Sequence, residues 1–364
     1  MIRVLHVLGG LRRGGAETFV MNLYRNIDRN KIQFDFVVHS GEETDYSRQI
    51  RELGGRIYVF SPTKNKNLLK IYNQWKELLL EHTEYTIIHS HIRSYASLIT
   101  HLANINNRKI IVHSHSISNG KGINAVAKWI LQYPIRYSAD YMFACSDDAG
   151  EWLFGKKSLK KDNYFQVKNG IEVDRYKYNK VTRDDYRNRL KLQDNYVLIN
   201  IASFRKVKNQ SFLINLIDQI KEKESSIKLV LVGEGGEKTE IEHMVKSKGL
   251  ENQVVFLGER GDVPCLLQAA DCFLFPSLWE GLGISAIEAQ AAGLKTLCSD
   301  HIPKEAGVTD LCEFLPLDID KWQEVVLQKQ KERIDTTKQI KQNGYDIGTT
   351  VEWLTSFYQK VSCK

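Results

Sequence analysis

The sequence predicts an α/β chain of two doubly wound halves, and three observations predict it. Strand-length apolar runs alternate with amphipathic helical stretches. The alternation restarts near residue 195, after a charged stretch without strand periodicity. Each half opens alike, on a strand, a loop of glycines or cations, and a helix. Alternation of this kind means a parallel sheet with helices on both faces. At 364 residues the chain has the length for two domains.

Residues 2–8 read as the first strand, followed by Gly9, Gly10, Gly14 and Gly15. A helix follows over 16–27, with Phe19, Val20, Leu23 and Ile27 on one face. Strands are expected at 34–39 and 56–60, a helix at 68–80, then strands at 85–91, 109–115, 140–146 and 163–167. Asn169-Gly170 marks a turn. Residues 178–193 read as a linker with a short helix. The scheme then resumes with strands at 195–203, 227–232, 254–257, 272–275 and 295–298. Helices fall between them at 209–222, 237–248, 264–270 and 284–292. An amphipathic tail helix over 348–361 places Val351, Leu354, Phe357, Tyr358 and Val361 on one face. The domains are therefore expected at 1–177, with the tail 345–364 packing back on it, and at 178–344.

Composition excludes several classes. Hydrophobic residues make up 42% of the chain, ample for packed cores, and 24 Gly with 6 Pro exclude collagen-like sequence. No apolar run reaches the ~18 residues of a membrane span, and the first residues read as a strand rather than a leader. Six scattered cysteines without a C-x-x-C pair fit neither a zinc site nor a disulfide framework, as expected of a cytoplasmic protein. Net charge is +7, but through Lys177 there are 26 Lys and Arg against 17 Asp and Glu. The first half thus carries the positive excess, which suits a polyanionic partner or an anionic membrane face. Nucleic acid is not expected, because no reader motif accompanies the charge.

The glycine loops do not match familiar nucleotide motifs. Neither Gly9–Glu17 nor Gly233-Glu234-Gly235-Gly236 fits G-x-G-x-x-G, and no P-loop exists, so dehydrogenase and P-loop readings fail. Gly14 and Gly15 nonetheless bare a helix N-terminus, which favours phosphate, and Arg12 and Arg13 add charge beside it. The most informative stretch is 275–293. A strand ends at Phe275, Glu280 sits on the loop, Gly281, Leu282 and Gly283 open the next helix, and Glu288 lies ~7–8 Å further along it. Two carboxylates flanking bare N–H groups suit an extended ligand with hydroxyls at its ends and an anionic middle, as in a nucleotide sugar. Arg205 and Lys208 follow the second half's first strand and would neutralise a departing diphosphate.

Several segments together carry a resemblance. They are HVLGGLRRGGAE at 6–17, IIHSH at 87–91, VKNGIE at 167–172, KNQSFL at 208–213, LVGEGG at 231–236, FLGERGDV at 256–263 and FPSLWEGLGISAIEAQAAG at 275–293. With its E-x7-E spacing the last resembles the signature of the family 4 glycosyltransferases, bacterial exopolysaccharide and capsular enzymes included. The resemblance implies the GT-B fold, two Rossmann-like domains facing across a cleft. It also implies retaining transfer of a hexose from a nucleotide diphosphate sugar, a UDP-sugar favoured, with no metal or other cofactor.

By the same resemblance Glu280 contacts the donor sugar, Glu288 the ribose, and the N–H groups of Gly281, Leu282, Gly283 and Ile284 the sugar and phosphates. Arg205 and Lys208 neutralise the diphosphate, although many members carry the arginine where this chain has Ser203. His91 faces the donor sugar, Gly14 and Gly15 approach the diphosphate, and Glu234 and Arg260 complete the donor set. Acceptor-side candidates are Arg12, Arg13, His115 and Asn169. The expected acceptor is a glycan or an undecaprenyl-pyrophosphate-type lipid-linked sugar, met at the inner face of the membrane. A nucleotide-sugar epimerase of the same fold and a non-catalytic nucleotide-sugar binder are the alternatives.

The sequence offers two patterns that could hold a metal. Asp318-Ile319-Asp320 is the one Asp-x-Asp, and Asp320 is expected to cap a helix instead. His89/His91 and His113/His115 offer pairs on one strand face, with no third ligand apparent. A buried acid near a cationic cleft is expected to stay ionised, which argues against a hydrolase-like acid role for Glu280 or Glu288.

Overall fold

The computed structural model describes residues 1–60, 68–93, 95–115, 130–329 and 332–363. The chain forms two compact units, Met1–Ile171 with Ile347–Lys364, and Glu172–Asp346.

The first unit is a seven-stranded sheet of β1 (Ile2–Val7), β2 (Ile32–Val38), β3 (Ile57–Val59), β4 (Ile87–Ser90), β5 (Lys109–Ser114), β6 (Tyr141–Ala144) and β7 (Tyr164–Gln166). Their order is β3-β2-β1-β4-β5-β6-β7, and every pairing is parallel. Central parallel strands are covered on both faces, and β2 and β4 are buried at every position, with Asp35 paired to Arg3 and His89 bonded to Tyr358 among their apolar residues. Helices α1 (Gly15–Asn26), α2 (Asp45–Glu52), α3 (Leu68–Glu81), α4 (Ala96–Ile105) and α5 (Asp147–Phe154) supply the layers. One core holds Phe19 and Leu23 of α1, Phe34 and Phe36 of β2, and Val351, Leu354, Phe357 and Tyr358 of the C-terminal helix Ile347–Ser362. The other face holds Trp75, Ile99 and Leu153.

The second unit is a six-stranded parallel sheet of β8 (Tyr196–Ile201), β9 (Ile227–Val232), β10 (Val254–Gly258), β11 (Cys272–Phe275), β12 (Lys295–Ser299) and β13 (Cys312–Leu315). Its order is β10-β9-β8-β11-β12-β13. Helices α6 (Lys180–Arg189), α7 (Gln210–Ile220), α8 (Lys238–Ser247), α9 (Val263–Ala269), α10 (Ile284–Ala291) and α11 (Ile319–Leu327) surround it. On one face Leu213, Leu216 and Ile217 of α7 pack with Trp322 of α11.

Three segments refine the sequence expectations. The unit boundary falls at Ile171/Glu172 rather than 177/178, because Val173 and Tyr176 are buried and Tyr176 bonds Glu288 of the second unit. The short helix expected within the charged stretch 178–193 is α6, capped by the Asn179 side chain. It docks through charge: Arg183 pairs with Asp271, and Arg187 reaches Asp271 Oδ2 at 3.1 Å. The cap of α11 is Asp318, which accepts from the N–H of Asp320 at 3.0 Å. Asp320 itself accepts from Gln219. Helices α2, α4 and α5 and strand β13 add elements that the apolar pattern did not mark; α2 has few apolar residues and starts on a Thr44/Ser47 capping box.

Candidate functional site

In a doubly wound sheet the loops at the carboxyl ends of the strands diverge where the strand order reverses, and ligands bind there. In the second unit that switch point lies between β8 and β11. Both loops leaving it carry the expected residues. After β8 the chain runs through Ser203 and exposed Arg205 into a 3₁₀ turn, Lys206–Lys208. After β11 it runs through Glu280 to Gly283, the N-cap of α10. Two hydrogen bonds tie the loops: Leu278 N–H donates to Val207 O at 2.8 Å, and Asn209 Nδ2 to Pro276 O at 3.2 Å.

The charged side chains then meet. Lys208 Nζ donates to Glu280 Oε1 at 2.5 Å, with both side chains less than one-fifth exposed. The proposed sugar ligand and one proposed diphosphate ligand are thus paired with each other. Arg205 has no ion-pair partner among the described residues. Gly283 adopts φ +92, and a Cβ there would lie 2.9 Å from the Phe275 ring, so only glycine opens α10 in this way. Gly233 at φ +142 similarly lets the β9 loop cross the Ala202 carbonyl.

Glu288, one turn into α10, is 7% exposed and accepts from the Tyr176 hydroxyl at 2.7 Å. Burial pushes its carboxyl up to about 7, against a smaller lowering by the Tyr176 hydrogen bond. The expectation of a fully ionised acid therefore fails for Glu288, because desolvation outweighs the single donor. Tyr176 had no signal in the sequence, standing 112 residues from its partner. Glu234 and Arg260 lie on the neighbouring loops of β9 and β10. Each is committed to an acid or base of its own, Glu234 to Lys238 at 2.7 Å and Arg260 to Asp262 at 2.5 Å.

The first unit's switch point lies between β1 and β4. Gly14 caps α1 with its backbone alone. Glu17 in the first turn is half-buried, and the desolvation raises its carboxyl above the usual range. Arg12 pairs with Glu42 at 2.7 Å, and Arg13 pairs with Asp45 while stacking over the Tyr46 ring. Asn169 is buried, and its Oδ1 has no hydrogen-bond partner.

His91 does not stand free. Its Nε2 meets His6 Nδ1 at 2.9 Å, and its Nδ1 meets His115 Nε2 at 2.7 Å. Beside it His89 Nε2 meets His113 Nδ1 at 3.2 Å, and His89 Nδ1 meets the Tyr358 hydroxyl at 2.7 Å. Burial holds all five imidazoles below their ordinary pKa, His115 at about 3, so they are neutral. A fifth histidine, His6, joins the two pairs, because the pairing of β1 with β4 sets it directly opposite His89.

The comparisons with known proteins agree with these observations. A family profile described as Glycosyl transferases group 1 matches residues 182–310, and one described as Glycosyltransferase Family 4 matches 13–175. EpsF of Bacillus subtilis, whose name assigns it as a glycosyltransferase, is 32% identical over 98% of this chain and 96% of its own. The chain belongs to the family 4 glycosyltransferases. CapH of Staphylococcus aureus, a capsular polysaccharide biosynthesis glycosyltransferase, is 24% identical over 98% of this glycosyltransferase and 99% of its own length. The crystal structure of Anabaena HepE with UDP-glucose superposes with a TM-score of 0.74 at 19% identity, covering 100% of this chain and 98% of that one. The likeness gives the glycosyltransferase the GT-B fold class of two Rossmann-like domains. No helix among its described residues is long and apolar enough to cross a membrane.

Proposed function

We propose that this glycosyltransferase moves a hexose, with retention, from a UDP-sugar to a glycan or lipid-linked acceptor in cell-surface polysaccharide synthesis. The observation that carries the reading is the convergence of Glu280, Lys208, Arg205 and the Gly283 helix start at one switch point. A nucleotide sugar presents there a sugar for Glu280, a diphosphate for the cations and the bare N–H groups, and a ribose for Glu288. The UDP-glucose held by HepE and the capsular role named for CapH support donor and pathway.

Bond breaking places negative charge on the departing diphosphate. Fixed cations and a helix N-terminus lower that barrier without a metal at the donor site, each such group typically being worth ~3–4 kcal/mol. Sugar binding would draw Glu280 toward the donor hydroxyls and release Lys208 toward the diphosphate. Among the described residues no side chain at this switch point offers itself as a covalent nucleophile, and we infer that the diphosphate oxygen takes the acceptor proton. The acceptor belongs to the basic first unit. There exposed Tyr137, with Lys161 over its ring, and Tyr133, with Arg136 over its ring, adjoin exposed Lys156, Lys157 and Lys160. Aromatic and basic groups side by side suit the anionic inner face of a membrane.

A thermal-shift panel of UDP, GDP, ADP and their sugar conjugates, with and without chelator, tests the donor. A chelator-insensitive shift of several degrees with uridine ligands is expected; no shift with any nucleotide would remove the donor site. Product analysis without acceptor separates the epimerase alternative, which would convert the sugar unaided. Sedimentation with anionic and neutral vesicles tests membrane contact, and equal partitioning would end that part.

A further inference from the structure

Past the carboxyl end of β4 the first unit holds a cation partly out of water. Arg93, two residues after His91, is half-buried. Its guanidinium carbon lies 4.5 Å from the centroid of the Trp152 ring on α5. Trp152 in turn packs against the core that contains Ile99 and Leu153. Burial lowers the Arg93 pKa, so desolvation works against its charge. A guanidinium stacked on an indole keeps a planar fork of donors, held in one orientation, for an oxyanion to accept from. The charge is felt at the next strand end as well, because Arg93 helps to lower the His115 pKa.

His115 supplies a second donor. Its Nε2 meets His91 Nδ1 at 2.7 Å, while its Nδ1 is buried with no hydrogen-bond partner among the described residues. Such atoms are rare in native structures, and each asks for a ligand or a water. When His6 Nδ1 donates to His91 and His91 donates to His115, the proton at the end of the relay sits on His115 Nδ1. The ring is neutral there, so it donates without adding charge beside Arg93. The first turn of α4 follows three residues after Arg93, and its N-cap, Tyr95, closes it with no side-chain hydrogen bond. Open N–H groups at a helix start favour the same kind of ligand.

We propose that Arg93 and His115 hold phosphate oxygens of the acceptor, so that the acceptor is a pyrophosphate-linked sugar and not a neutral glycan. This rests on the transferase reading above, whose donor residues lie in the second unit. The two donors come from different strand ends, Arg93 after β4 and His115 after β5. They suit an anion with oxygens on several sides, which a tetrahedral phosphate offers and a planar carboxylate does not. Arg93 touches the acceptor away from its reacting hydroxyl, so it sets which acceptor binds and leaves the chemical step to the donor site. Trp152 is a positioning residue that keeps the guanidinium flat and aimed.

The experiment uses full-length protein saturated with UDP, which occupies the donor cations, titrated calorimetrically with geranyl pyrophosphate. Geraniol and phosphatidylglycerol vesicles are the parallel arms. The expected result is one saturable site per chain for geranyl pyrophosphate and none for geraniol. Arg93→Gln weakens that site about 10–100-fold, the scale of a lost hydrogen bond to a charged group. Arg93→Lys recovers only part of the loss, since an ammonium neither forks nor stacks, and Trp152→Leu loses less than Arg93→Gln. All three variants keep the wild-type melting shift with UDP, which shows that they fold. Exposed Lys31→Ala leaves both readouts unchanged. Equal affinity in wild type and Arg93→Gln overturns the proposal, as does wild type that shifts with UDP but shows no saturable site. An Arg93→Gln variant that loses vesicle binding alone assigns the arginine to a bilayer headgroup and overturns it too. No UDP shift in wild type would remove the donor reading, and the proposal with it.

Discussion

The two switch points of this chain have the same architecture and opposite chemistry. In the second unit, charged side chains converge from both loops, Lys208 against Glu280, with Arg205 exposed beside them. In the first, the equivalent region is lined by neutral, buried imidazoles, while the loop arginines Arg12 and Arg13 are paired outward with Glu42 and Asp45. The comparison teaches that a doubly wound sheet supplies a place but not a reaction. The residues at the strand ends and on the loops decide whether the place gathers charged or neutral polar groups.

The largest effect expected from breaking that contrast is at Glu280. Glu280→Ala should lower kcat by about 10²–10³-fold, the scale for losing a preorganised electrostatic contact, while sparing UDP affinity. An unchanged rate in a steady-state assay would separate Glu280 from the donor sugar. Arg205→Ala should come next, slowing turnover by tens-fold, whereas Arg12→Ala in the first unit should stay within assay error because its pair is solvent-exposed. Equal losses in the two would erase the contrast.

Gly283→Ala sharpens it from the structural side. A side chain at φ +92, pressed on Phe275, should cost about 1–3 kcal/mol and displace the N–H groups, read as a lower denaturation midpoint and weaker UDP binding.

The pH dependence of Glu288 gives a smaller, signed effect. Its folded pKa of about 7 lies above the unfolded value, so its contribution to stability is complete below about pH 4.5 and is lost as pH rises through 7. The second unit without ligand should therefore melt at lower temperature at pH 8 than at pH 6, and Glu288→Gln should remove that difference. Tyr176→Phe should move the transition to higher pH, since the hydroxyl favours the carboxylate. A ribose donating to the ionised carboxylate reverses the slope for binding, so UDP affinity should rise from pH 6 to 8 in wild type relative to Glu288→Gln. A flat calorimetric profile in both proteins would mean that Glu288 does not titrate there.

Much of the fold was legible because parallel strands buried on both faces are mostly apolar along their length. Residues 2–8, 227–232 and 272–275 announce themselves, and the observed strands match them within two residues. Elements held by capping were not legible, as for α2, which starts on a capping box; for α6 the short helix was legible but not its docking through Arg183 and Arg187 on Asp271. Within the candidate site, Glu280, Gly283 and Glu288 were readable because turn, helix start and carboxylates lie in one segment. Tyr176 and His6 were not.

By itself the sequence determined the alternation of strands and helices, the glycine and carboxylate segment of 275–293, and the charge difference between the halves. All are local properties, written in neighbouring residues. Only the tertiary structure decided that Glu280 holds Lys208, 72 residues away, that Glu288 is buried under Tyr176, 112 away, and that His89 meets Tyr358, 269 away. Protonation states and ligand sets depend on these pairings, because desolvation and hydrogen bonding act through space, across strands whose order the linear sequence does not record.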